Sequence, residues 1–386
     1  MQIKTIRSQQ ELEYIRSRWE ELQNHPNNDF AQYQIVCRLR KDFVSPHVSI
    51  VERDSDKCTL LIARIERTSF SPSIGYFKPI RISIKSLMIL YQGLLGNADE
   101  EICQQLISHL QSFLKSKQVD VVTFHLLPED SPLLKVLKVD CSRRWCEETA
   151  KWTAHWTMKL PEQPGFLLKN MRSKHRSWIN SRQKKLESAY PGKVSWQWIS
   201  SFDDIAEITA RLEVVAASTY QRGLGAGFVD DEEHRQRYRL FADRGQLRVQ
   251  LVGIEGKVKA FWIGIVYKGV FHSSATSYDP DFRSYELGSL MFIAMTDELV
   301  REGVFKIDFG LGDAFYKERF GDQNWRETTV HLFAPNFKGI LLRSTLSAST
   351  CIDNILRRIL QKTGLLGRVK TGLRRLVQRR SKTDLT

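Results

Sequence analysis

Residues 305–321 read FKIDFGLGDAFYKERFG. Phe305, Ile307 and Phe309 alternate with Lys306, Asp308 and Gly310, the period of a strand with one apolar face. Asp308 therefore points away from the face of Phe305, Ile307 and Phe309. Gly310 and Gly312 let the chain leave the strand through conformations other residues resist. Asp313 stands where a helix N-cap is expected, ahead of a short helix 313–320 carrying Tyr316, Lys317 and Phe320. An acid, a phenol and an ammonium gathered at a strand end have the composition of a reaction site.

Working outward, the pattern predicts a strand 304–310 preceded by a helix 287–302 that opens at Leu287-Gly288-Ser289. Before these come three strands, Leu247–Ile254, Val258–Tyr267 and Val270–Thr276, joined at Glu255-Gly256 and Lys268-Gly269. Glycine turns this tight mark antiparallel hairpins. A helix is expected over 203–221, with Ile205, Ile208, Leu212, Val215 and Thr219 on one face. Asp230 is expected to open another, with Glu233 as its capping-box partner. The final strand is Thr328–Phe333. A meander followed by a crossover helix gives a mixed sheet. The N-terminal part predicts a helix 9–24, strands 47–54 and 58–66, a helix 99–117 and a strand 119–126. The expected fold is therefore α/β with mixed (α+β) sheets, in a lobe 1–160, a second, catalytic lobe 161–338 and a basic amphipathic tail 339–386.

The chain has 386 residues, 42% of them apolar and 10% aromatic, enough for two or three domains with sizeable cores. No stretch approaches the ~20 apolar residues of a membrane span. The N-terminus lacks the apolar core of a secretory signal, so a cytoplasmic protein is expected. The six cysteines form no C-x-x-C pair and the nine histidines form no HExxH cluster. They read as reduced thiols, mostly buried, and no metal site is expected. The net charge of +14 is concentrated in two segments. Residues 341–386 hold eleven Lys/Arg and two Asp, and residues 165–190 hold seven Lys/Arg and one Glu. The remainder is near neutral, which argues against a surface coated for nucleic acid and for two local anion-binding or membrane-facing features. In the tail, Ile340-Leu341-Leu342, Ile355, Ile359-Leu360 and Leu365-Leu366 are interspersed with arginines. Such a segment reads as a helix on an anionic membrane or as a helix packed on the body. Gly223, Gly225 and Gly227 read as a lid hinge or as an interhelix loop.

A strand ending DFG, then GD, then YKxxFG, resembles the CelD-type acyltransferases linked to bacterial polysaccharide synthesis. That family is a branch of the GNAT superfamily, similar in layout to the two-lobed Fem-type aminoacyltransferases. The resemblance also takes in Tyr278-Asp279-Pro280, Leu287-Gly288-Ser289, the basic stretch SKHRSWINSRQKKLE at 173–187 and Trp19-Glu20-Glu21-Leu22. It implies two GNAT-like lobes and an acyltransferase. The implied donor is an acyl-CoA, foremost acetyl-CoA. The implied acceptor is an amine, or a hydroxyl, on a sugar-derived or cell-envelope precursor.

The resemblance also implies roles. Tyr316 would protonate the leaving thiolate, and Lys317 would neutralise charge on the transferred carbonyl. Asp308 or Asp313 would take the acceptor's proton or bind its hydroxyls, with His272, in FHSSATS, as another candidate base. Arg283, Gly288 and Ser289 would meet the donor's pyrophosphate at a helix N-terminus, where free N–H groups and the helix dipole favour anions. Aligned on Gly288, the superfamily's phosphate loop has Tyr285 at its basic position and Leu290 at its second small one. Two other functions fit the same residues. One is a Fem-like transferase using aminoacyl-tRNA, whose phosphates the basic stretch would meet. The other is a non-catalytic, membrane-associated scaffold of the same fold.

Overall fold

The structure, a computed structural model, describes residues 3–54, 57–75, 77–140, 146–148, 152–219, 222, 227–312 and 314–363. The chain opens with β1 (Ile3–Ile6), α1 (Gln9–Tyr14), α2 (Arg16–Leu22), α3 (Phe30–Leu39), β2 (Phe43–Asp54), β3 (Lys57–Phe70) and β4 (Ile82–Leu95). Then come α4 (Glu100–Lys115), β5 (Val121–Pro128), α5 (Pro132–Asp140), β6 (Cys146–Glu148) and β7 (Thr153–Lys159). The middle holds α6 (Phe166–Asn170), α7 (Ser173–Ala189), β8 (Val194–Ile199), α8 (Ile205–Ala217), α9 (Glu232–Asp243), β9 (Leu247–Ile254), β10 (Lys257–Tyr267) and β11 (Val270–Tyr278). Last come α10 (Leu287–Arg301), β12 (Lys306–Leu311), α11 (Phe315–Phe320), β13 (Gln323–Phe333) and α12 (Phe337–Lys362). Two compact units divide these elements, one of Met1–Ala154 with Trp325–Leu366 and one built on His155–Asn324.

In the first unit the strand order is β1-β2-β3-β4-β5-β13, with β6 also paired to β13. β4 and β5 run parallel from Ser86↔Val121 to Ile89↔Phe124, and β13 is antiparallel to β5. Strand alternation sorts the side chains to two faces. Leu61, Leu87, Val122 and Phe124 pack with Leu106, Leu110 and Phe113 of α4. Ile50, Leu60 and Ile62 pack on the other side with Leu12, Trp19, Phe30 and Tyr33.

In the second unit the order is β7-β12-β11-β10-β9-β8. β9, β10 and β11 form the expected antiparallel meander, β12 joins β11 in parallel, and β7 closes antiparallel on β12. One face, with Trp262, Phe271, Ile307 and Phe309, is covered by α10, whose Leu287, Met291, Phe292 and Met295 are buried. The other, with Phe261, Ile263 and Ile265, is covered by Leu212 and Val215 of α8 and Phe241 of α9. Each unit is thus a mixed sheet with helices against it, the expected α/β class.

Several local expectations are corrected. The strand 328–333 was expected in the second lobe. It instead pairs with β5 of the first unit, Leu332 opposite Val122, because its alternating apolar face completes that core. Phe305 lies outside β12 and is 55% exposed. Its ring covers Gly269, where a Cβ would come within 2.5 Å of it. The helix after β12 begins at Phe315, with Ala314 at its N-cap. Asp231 rather than Asp230 caps α9, accepting from the His234 N–H, while Asp230 takes a two-point contact from Arg235. The helix expected over 9–24 is two helices, α2 starting directly after Ile15. α12 belongs with the first unit as far as it is described. Its Leu342 and Leu346 pack on Phe70, Ile84 and Phe333. The five described cysteines are free thiols, Cys37 and Cys103 buried and Cys351 exposed.

Candidate active site

β11 and β12 pair in parallel at three positions only: Val270↔Lys306, Phe271↔Ile307 and His272↔Asp308. β11 runs on to Tyr278 and β12 to Leu311. The two strands part at His272 and Asp308. On its other edge β12 shifts register against β7 between Asp308 and Gly310. Gly310 has φ 67°, a left-handed conformation that suits glycine, and it supplies this bend.

Asp308 sits at the mouth of that gap, on the face opposite Ile307 and Phe309. Its Oδ1 accepts from His155 Nε2 at 2.7 Å and from the Gly310 N–H at 2.7 Å. Its Oδ2 lies 3.5 Å from Nδ1 of His272. Burial would push this carboxyl's pKa up, but the hydrogen bonds and charges of His155 and His272 outweigh it and hold the group well below the usual carboxylate range. The result is a half-buried carboxylate turned to two imidazoles. His155 comes from β7 and is 1% exposed. It was not among the expected site residues. The available signal was alternation in TAHWTMK, where Thr153, His155 and Thr157 share one face and Trp156 and Met158 the other.

Tyr316 and Lys317 belong to the opposite sheet face. The Tyr316 ring stands edge-on to Trp262 and Phe309, with centroids at 5.4 and 6.0 Å. Burial raises its pKa above the ordinary phenol value, so it stays protonated. Lys317 is 6% exposed. Its ammonium donates to the carbonyls of Phe309 and Leu311 at 2.7 and 2.6 Å. These carbonyls lie beyond the point where β11 leaves β12, and a side-chain donor replaces the lost ladder partner.

α10 starts directly after Glu286, whose backbone is left-handed (φ 54°), without a side-chain cap. Gly288 lies under Tyr278, whose ring is 3.4 Å from where a Cβ would stand. Ser289 is buried and Arg283 exposed. α7 adds cations that were not assigned to this segment. Arg182 donates to the Ser284 carbonyl at 3.2 Å, and the Lys185 ammonium stands 5.1 Å over the Tyr285 ring. Elsewhere on α7, Ile179 and Leu186 are buried, while Lys174, Lys184 and Lys185 are exposed. The structure thus brings together Asp308, His272 and His155, and separately Tyr316 and Lys317. Asp313, Gly223 and Gly225 lie outside the described residues.

Residues 173–318 match the family described as the acetyltransferase (GNAT) domain. No curated protein is found to match the chain. Among solved structures the chain is similar to FemX, at 12% identity and TM-score 0.54, over 85% of this chain and 97% of that one. It is also similar to a tandem GNAT protein from the clavulanic acid biosynthesis pathway (10% identity, TM-score 0.48, 87% of this chain and 99% of that one). A conserved protein of unknown function from Bacteroides thetaiotaomicron also aligns (13% identity, TM-score 0.46, 86% and 99%). At such identities the likeness is one of fold. Over residues 173–318 the chain thus resembles the acetyltransferase (GNAT) domain, and its fold is like that of FemX.

Proposed function

We propose that the chain is an acyltransferase that moves an acyl group, foremost acetyl from acetyl-CoA, to an amine on a sugar-derived or cell-envelope polysaccharide precursor. The observation that carries the reading is the parting of β11 and β12 at His272 and Asp308. It opens a slot in the sheet beside β11 past His272, with a base-type cluster at its mouth. A thioester lying in the slot would find strand N–H groups for its carbonyl oxygen.

His272 faces Asp308 with Nδ1, 3.5 Å from the carboxylate, so its Nε2 takes the proton of the attacking amine. The amine nitrogen bonds to the thioester carbon and the carbon–sulfur bond breaks. Tyr316, kept protonated by its surroundings, gives its proton to the departing thiolate. His155 and Lys317 act as positioning residues, the first for Asp308 and the second for the end of β12. The donor's pyrophosphate would meet the start of α10 at Gly288 and Ser289, with Arg283. Arg182 and Lys185 would supply the positive charge that Tyr285 does not. An amine is the stronger nucleophile, which favours N- over O-acylation.

The place of work we propose is the cytoplasm, peripheral to an anionic inner-membrane face. No helix among the described residues is long and apolar enough to cross a membrane. α12 exposes Phe337, Ile340, Leu341, Ile352, Ile355 and Ile359. Seven further Lys/Arg follow in residues 364–386.

The test is thermal stabilisation by acetyl-CoA, by longer acyl-CoAs and by buffer alone. A saturable rise with one thioester, followed by acyl transfer to an amino sugar, supports the reading. No response to any thioester overturns it. The second reading, transfer from aminoacyl-tRNA, draws on the exposed cations of α6 and α7 and predicts tRNA binding that weakens steeply with salt.

A further inference from the structure

The first unit holds a cavity of about 730 Å³, within the range of small-molecule sites. Its floor is the sheet face of Ser86, Thr123, His125 and His331, opposite the side occupied by Leu87, Val122, Phe124 and Leu332. Its roof is the 69–73 segment and α12, with Leu346 and Ser349 turned toward it. A sheet face beneath a helix is ordinarily apolar, since burying polar groups costs stability unless they are paired. Here the polar groups are organised. Ser86 Oγ and Thr123 Oγ1 lie 3.3 Å apart, and Thr123 Oγ1 is 3.0 Å from Nδ1 of His331. That chain fixes the ring and leaves its Nε2 without a hydrogen-bond partner among the described residues. Burial, together with His125, lowers the His331 pKa to about 4, so the ring is neutral near pH 7.

The charge in the cavity is positive. Arg357 is neutralised by Asp353 at 2.6 Å. Arg326 has no carboxylate partner among the described residues, and its guanidinium is held over the Trp152 ring at 5.2 Å. The wall therefore offers one uncompensated cation, neutral imidazoles and an array of hydroxyls over an apolar rim of Phe70, Met88 and Leu346. We infer that this cavity is a second ligand site, for a sugar-sized polyol carrying one anionic group, with Arg326 binding the anion and His331, Ser86 and Thr123 ordering the hydroxyl face. The inference does not rest on the acyltransfer reading.

Calorimetric titration of the full chain with glucose 1-phosphate, glucuronate, glucose and inorganic phosphate tests it. Saturable binding of a charged sugar is expected, with glucose and phosphate each at least about tenfold weaker. Preference for glucose 1-phosphate would mark a phosphate ligand, and preference for glucuronate a carboxylate. Arg326→Met, at an exposed side chain, is expected to cost about tenfold or more, and Thr350→Trp, which fills the cavity from α12, to abolish binding. Both variants should keep the wild-type melting temperature and any stabilisation by acetyl-CoA. No binding of either charged sugar at millimolar concentration overturns the inference. So does binding that survives both folded variants.

Discussion

Asp308 Oδ1 lies 2.7 Å from Nε2 of His155, a residue 153 positions earlier in the chain. The same carboxylate faces His272 through its other oxygen. An amide at this position cannot serve two imidazole donors. Asp308→Asn is therefore expected to lower kcat/KM by roughly 10²–10⁴-fold, the range for a lost general base and its support, with circular dichroism unchanged. A folded variant within a few-fold of wild type would exclude the cluster from the chemistry. The carboxyl's depressed pKa fixes the sign of the pH dependence. Asp308 stays ionised from neutral pH to below the usual carboxylate range, and its contribution is lost only as pH falls through that low value. His272→Gln is expected to lower kcat/KM by a similar factor, with circular dichroism unchanged.

Tyr316 gives a separable prediction. Its ring packs against Trp262 and Phe309, and Tyr316→Phe keeps that packing. The variant is expected to lose roughly 10- to 100-fold in kcat, somewhat less than a typical full proton-transfer effect, with KM within about twofold. Because burial raises its pKa, the phenol should remain a proton donor beyond its ordinary value of ~10. A basic limb in wild type that persists unchanged in the Phe variant belongs to another group.

Lys317 distinguishes positioning from catalysis. Lys317→Met strips the Phe309 and Leu311 carbonyls of their donor. Leaving such acceptors unsatisfied costs on the order of 1–3 kcal/mol. A lower melting temperature and a parallel loss of activity are expected. If the ammonium instead acted on the substrate carbonyl, the variant would keep its melting temperature and lose only kcat.

His47 predicts acid lability of the first unit. It is fully buried, with both ring nitrogens lacking a partner among the described residues and its ring 4.7 Å from that of Phe113. Burial, with Arg7 and His109 adding to it, lowers its pKa to about 3. The unfolded chain takes the proton near ~6.5, so the unfolded state gains protons first as pH falls. Stability is full above that value and declines by about 1.4 kcal/mol per pH unit toward the folded pKa. Urea midpoints at about pH 6.5, 5.5 and 4.5 measure this slope. It should be shallower in His47→Leu, and an unchanged slope would assign the acid loss elsewhere.

Local patterns carried much of this fold. The alternation around Ile307 and Phe309 is a property of neighbouring residues, and β12 follows it. The turns at Glu255-Gly256 and Lys268-Gly269 bring β9, β10 and β11 together at short range, and their antiparallel pairing follows. Phe305 breaks the pattern because a strand's first apolar residue can belong to the turn packed beside it, here at Gly269. An N-cap is set by where the helical backbone starts, and α11 starts after Ala314.

The candidate site divides along the same line. Asp308, His272, Tyr316 and Lys317 were legible because strand and helix periods placed them near one strand end. What the sequence by itself determined was the order of the elements and the face each side chain takes, since both follow from backbone geometry over a few residues. Tertiary structure alone decided that β13 joins β5, that β7 brings His155 to Asp308, and that Lys317 is spent on the carbonyls of β12. Each depends on a strand register or hydrogen bond between segments that no local period connects.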